Sequence, residues 1–253
     1  MFHQLQPAVG FGWAVRAIAF INLGLCVVIL MILCRKPGRR APKARMYIDL
    51  RAFKERSFGL FAIGLFFQFL AYYIPLFYIP SYATSRLGTS EEFAFYLLAI
   101  SNAGSFFGRV LPYILGSRVK PIQVLVFWDT AGVVVLFAWI GVTTTAGFIV
   151  WCIVWGFISG VLVTAPAASI PHPMLSPSLD VIGARLGMSW STAAVGVLIG
   201  GPIAGALADV AAAHFLHAQV LAGAIMAAAV FFLSWPLISV YKYDRAKVRE
   251  VKA

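Results

Sequence analysis

The chain has 253 residues, of which 61% are hydrophobic and only 11% charged, with a mean hydropathy of +0.89. Soluble domains carry roughly a quarter charged residues because a surface has to be covered, so a soluble globular domain is excluded. The net charge of +11 does not indicate nucleic-acid binding, since the basic residues cluster in a few short stretches and no recognition motif accompanies them.

A helix crosses about 30 Å of hydrocarbon with about 20 mainly apolar residues. Seven segments meet that length: 13–34, 57–79, 93–116, 122–140, 147–168, 186–208 and 218–240. They are too long and too uninterrupted for the alternating strands of a membrane barrel. The expectation is an all-α, polytopic membrane helical bundle. No basic stretch precedes the first span, so it is expected to be a retained helix rather than a cleaved signal. Cys26, Cys34 and Cys152 lie within spans as small apolar fillers, and no spacing suggests a metal or cofactor.

The connections differ sharply in charge. Stretch 35–56 holds nine Lys and Arg, 80–92 holds only Arg86, and 117–121 holds Arg118 and Lys120. Arg185 closes 169–185, and five basic residues follow Tyr241. The positive-inside rule puts the basic set in the cytoplasm, which leaves the N-terminus outside and the C-terminus inside. Anionic lipid headgroups are a secondary partner for such a patch. Tyr72, Tyr73, Tyr78 and Tyr82 crowd the outer end of the second span, where tyrosines anchor at the interface. Tyr72 and Tyr73 are deep enough to line a cavity instead.

Small residues recur four apart: Gly104 and Gly108, Gly156 and Gly160, Gly196 and Gly200, Gly201 and Gly205. That spacing puts them on one helical face, where backbones approach closely. Pro112, Pro166 and Pro202 lie within spans, and Pro75 and Pro80 bracket an outer end. Each removes an amide donor, frees a carbonyl and tends to bend its helix. Bent helices beside a cavity serve transporters as sites and gates, and also occur as plain kinks.

Charges within the spans are costly and therefore informative. Arg109 either snorkels inward or meets an anion or a gate partner. It shares a helical face with Asn102 and Ser105, a pattern suited to binding a carboxylate. Asp129 is expected to pair with a base or to take up a proton, which makes it a candidate for coupling. Other polar candidates are Gln68, Ser101, Thr164, Ser189, Ser191 and Thr192. His172 lies in the PHP bend of 169–185; His214 and His217, three apart at an outer connection, could touch a metal but have no third ligand nearby, and a solvated loop is expected for them. No nucleophile–base arrangement, zinc-protease motif or phosphate loop is present, so an enzyme is not expected.

The runs GFGWAVRAIAFI, FAFYLLAISNAGSFFGRVLP, FFGRVLPYILGSRVKP and GARLGMSWSTAAVGVLIGGPIAGAL resemble fungal members of the monocarboxylate-transporter-like branch of the major facilitator superfamily (MFS). The resemblance implies a twelve-helix fold of two halves with a substrate path between them. The seven spans would correspond to helices six to twelve, the C-terminal half plus one preceding helix, with the N-terminal half missing. The implied organisation is 1–34 as tail and first helix, 35–56 as basic linker, 57–240 as a six-helix half-bundle, and 241–253 as basic tail. Arg109 matches the intramembrane arginine that animal members use in anion binding and proton coupling. The aspartate those members carry one turn earlier is Ser105 here. In the cytoplasmic gate motif Arg118 and Lys120 are kept, while the acidic position is Ser117 and the run is one residue shorter.

The implied function is transport of a small organic anion, a monocarboxylate or related metabolite, across the plasma membrane, with protons as a potential co-substrate. A fragment without independent activity is the alternative. A seven-helix receptor is disfavoured, because there is no acidic–Arg–Tyr run in the third span, no Asn-Pro-x-x-Tyr in the seventh and no outer cysteine pair.

Overall fold

In lipid, backbone amides and carbonyls must be satisfied within the segment, so apolar runs of this length become helices. A computed structural model describes residues 2–35, 48–115, 118–207 and 214–252. The linker positions 36–47 and the gate position Ser117 lie outside the described residues. Among the described residues, seven helices are long and apolar enough to cross a membrane. The chain divides into two units, Met1–Ala44 and Arg45–Ala253.

The first unit holds α1, Phe2–Cys34, which turns at Gly10 with φ 76°. A membrane-length stretch, Gly10–Cys34, follows that turn. The left-handed backbone at Gly10 is one that residues with a Cβ adopt only under strain.

The second unit opens with a 3-10 turn, Leu50–Lys54, and continues with α2 (Arg56–Ser85), α3 (Glu91–Leu115) and α4 (Pro121–Ala138). A short 3-10 turn, Trp139–Gly141, leads to α5 (Thr145–Ser169), α6 (Ile182–Leu207) and α7 (Leu216–Lys252). The helix α2 packs on α6 and α7 and more lightly on α3; α5 joins α3 to α4, and α4 closes onto α7. Phe61, Leu65, Trp155, Ile158, Leu162 and Leu233 lie within the core.

Two seams depend on missing side chains. A Cβ at Gly156 or Gly160 would collide with the Ser101 or Ser105 carbonyl, and one at Gly104 or Gly108 with the backbone at Ile153 or Phe157. Gly196 and Gly200 meet the Phe66 and Leu70 backbone of α2 in the same way. Gly205 is looser, with only the Tyr78 hydroxyl nearby.

The helices run on through their prolines, including Pro112, Pro166 and Pro202. Pro75 and Pro80 lie inside α2, which extends to Ser85 rather than ending between them. Pro166 cannot donate to the Leu162 carbonyl one turn back. The Gln68 side-chain amide of α2 supplies that bond at 2.9 Å.

Two sequence expectations are corrected. The helix α7 does not stop at 240 but runs to Lys252, because Ala246, Lys247, Arg249 and Glu250 favour helix and no glycine or proline intervenes after Pro236. At roughly 1.5 Å per residue it is about 55 Å long, far more than the hydrocarbon core, so its end stands clear of it. Arg185, counted as a loop cation, lies inside α6 and is buried.

Candidate functional site

Arg109 sits on α3 about 9 Å before the helix end, counting six residues at the helical rise. Its side chain is exposed, and it makes no ion pair among the described residues. The Tyr72 hydroxyl of α2 faces Ser159 of α5 and lies within electrostatic reach of Arg109. Tyr72 is buried, with its ring 4.8 Å from Tyr73 and 6.3 Å from Trp155. Tyr73 is half-buried and stacks on exposed Phe77. Three helices thus bring together a free guanidinium, a phenol and an aromatic wall.

The other expected members of this face are arranged differently. Ser105 is buried in the α3–α5 seam with its hydroxyl unpartnered, while Asn102 is exposed and donates to the Leu98 carbonyl of its own helix. Thr164, Ser189, Ser191 and Thr192 also bond carbonyls of their own helices. Their polarity is therefore largely satisfied locally.

Asp129 is 0% exposed, and neither carboxyl oxygen has a hydrogen-bond partner. The expected basic partner is absent among the described residues. Asp129 is carried on α4, which packs on α5 and α7, whereas Arg109 is carried on α3. Tyr82, expected at the interface, is buried instead, and its hydroxyl donates to the Val142 carbonyl at 2.6 Å.

The basic end of the bundle holds two ionic clusters. Lys120 pairs with Asp244 of α7 at 2.5 Å and lies over the Tyr241 ring. His172 of the PHP bend also meets Asp244, at 3.2 Å, while its Nδ1 accepts from the Met174 amide. That second bond assigns the ring proton to Nε2, which then donates to Asp244. Arg118 stays exposed in the turn before α4.

The second cluster was not anticipated. The Arg185 side chain is 2% exposed and bonds both Glu55 oxygens at 2.6 Å, Asp49 Oδ2 at 3.0 and 3.1 Å, and the Leu175 carbonyl at 2.7 Å. It also lies over the Phe58 ring at 5.3 Å. The sequence held a signal: Asp49 and Glu55 are the acids of the otherwise basic 35–56 stretch.

No protein-family profile matches the chain. It is 36% identical over 224 residues to the aspyridones efflux protein apdF of Emericella nidulans, covering 88% of this chain and 44% of that protein. It is 33% identical over 207 residues to the MFS-type transporter dbaD of the same fungus, covering 82% and 46%. The chain thus spans about half the length of these relatives. The crystal structure of the MFS transporter FucP in its outward conformation aligns with TM-score 0.66 at 18% identity, covering 88% of this chain and 55% of FucP. The fold is that of about half of an MFS transporter, and the chain is a multi-pass membrane protein whose relatives are fungal MFS-type transporters.

Proposed function

We propose that the chain forms one half of a membrane carrier that exports a small organic anion, with Arg109 as the cationic contact. The observation that carries this is the exposed Arg109 guanidinium, six residues inside the end of α3 and within electrostatic reach of Tyr72, which meets no counter-charge among the described residues. An unpaired charge there costs several kcal/mol, which a bound anion would offset. The relatives' names, an efflux protein among them, support outward transport of a small molecule.

Major facilitators rock two halves about a central site, so the proposal includes a complementary bundle facing α2, α3 and α6. The substrate is a monocarboxylate or related metabolite, and the seven helices take the places of helices six to twelve. The coupling ion is a proton, with Asp129 as the buried acid that would take it up. The basic connection 117–121 and the end of α7 face the cytoplasm from the plasma membrane.

The test is efflux of labelled monocarboxylates from proteoliposomes containing the chain together with the first half of apdF, with and without a pH gradient. Arg109→Gln is expected to lower flux at least tenfold while insertion and thermal stability stay unchanged. Equal flux in the variant would overturn the assignment. The second reading is a fragment with no independent activity, and a lack of flux even with the added half would favour it.

A further inference from the structure

At the far end of α4 from Lys120, a cavity of about 240 Å³ opens between three elements of the second unit. The end of α2 contributes Tyr82 and Arg86, the α4–α5 connection Ile140 and Thr143, and the start of α7 His214 and Gln219. No lining residue comes from α3 or α6. Tyr82 instead meets Phe215 beside α7 and Val142 of the connection, so the cavity lies off the face proposed for a complementary bundle. Pockets for drug-sized ligands run to roughly 300–1,000 Å³, so only a small molecule fits here.

The wall is held on several sides. The buried Tyr82 ring lies 5.4, 4.9 and 5.2 Å from those of Trp139, Phe148 and Phe215. Its hydroxyl donates to the Val142 carbonyl at 2.6 Å, which ties the connection to α2. The same oxygen still accepts, and Arg86 and Gln219 lie beside it. Gln219 is buried and reaches the Trp139 carbonyl at 3.4 Å with one of its two amide hydrogens. Ile140, Phe215 and Leu216 add apolar surface.

The polar part of the lining favours negative charge. Arg86 is the only Lys or Arg in 80–92, 141–146 and 209–217, and it lines this cavity. It is exposed and makes no ion pair among the described residues; Glu92, close by in sequence, accepts from Tyr96 instead. The Thr143 hydroxyl has no partner among the described residues, and the exposed His214 ring carries a further donor. No described Asp or Glu lines the cavity. A guanidinium with donors around it and no carboxylate suits a planar anion.

We infer that this cavity binds a small organic anion, with its carboxylate on Arg86 and Thr143 and its apolar body against Ile140, Phe215 and Leu216. It is a second anion site, since Arg86 precedes α3 and Arg109 lies near the other end of that helix. The inference depends on neither transport nor Arg109.

The test is equilibrium dialysis of radiolabelled benzoate against the full chain in phosphatidylcholine nanodiscs. The chain carries Arg109→Gln, so that the proposed transport contact does not contribute. Saturable binding is expected, without displacement by benzyl alcohol, the uncharged counterpart. Adding Arg86→Gln should weaken binding at least tenfold, the usual scale for a hydrogen-bonded charge. Arg86→Lys should weaken it less, because it keeps the charge and loses the planar fork. Thr143→Trp, which fills the cavity from an exposed position, should match Arg86→Gln and serves if that variant fails to fold. Unchanged affinity in a folded Arg86→Gln or Thr143→Trp protein, or displacement by benzyl alcohol, would overturn the inference. Absence of saturable binding in the Arg109→Gln background would also overturn it, while leaving the Arg109 proposal standing.

Discussion

Gln68 of α2 donates its side-chain amide to the Leu162 carbonyl of α5, the carbonyl that Pro166 leaves without a helical partner. A helix-breaking residue in one element is thus answered by a polar residue in another, in a region that offers no water. Gln68→Leu should destabilise the bundle by about 1–3 kcal/mol, the usual cost of an orphaned buried acceptor. Pro166→Ala restores an amide at that point and should remove most of the penalty. A double-mutant cycle of thermal unfolding in detergent checks this, and additive effects would contradict it.

The α3–α5 seam makes a steric prediction. Gly160→Val would drive a side chain into the Ser105 carbonyl, a backbone atom that cannot rotate away. The expected loss is about 1–3 kcal/mol or more, with a lower yield of folded protein in size-exclusion chromatography. Gly187→Ala, into open space, should leave both yield and midpoint unchanged.

Arg185→Gln removes the cation that holds two carboxylates. Breaking a buried pair costs about 3–5 kcal/mol, and the 45% exposure of Glu55 places the expected loss below that range. The 3-10 turn should then open, so trypsin cleavage after Arg51 and Lys54 should accelerate at least tenfold. Arg185→Lys should protect only partly, because an ammonium group lacks the planar fork.

Asp129→Leu replaces a buried carboxyl without partners by a hydrocarbon of similar size. A buried polar group lacking compensation costs about 1–3 kcal/mol, so the thermal midpoint should rise. A lower midpoint would mean that the carboxyl has a stabilising partner in the membrane.

The bundle was legible in the sequence because crossing lipid constrains length and composition together, which is why all seven spans were found. Helix ends were less legible. Past Val240 the residues turn charged, which ends a hydropathy signal but not the helix, since Lys, Arg, Glu and Ala all favour it. The face of Arg109 could be read from spacing, but the burial of Ser105 could not, because it depends on Gly160 in another helix. Arg185 was missed because counting charges treats every connection residue as solvated. Its carboxylate partners are more than a hundred residues away, and no local pattern joins them.

The two arginines near the basic end differ in coordination. A guanidinium has five N–H donors, and in Arg185 all five are engaged by Glu55, Asp49 and the Leu175 carbonyl. An arriving anion finds there a saturated shell already ringed by negative charge. Arg109 has no protein acceptor among the described residues, so its fork remains available for bidentate capture of a carboxylate. Under the proposed function, the anion goes to the arginine whose coordination the fold has left incomplete.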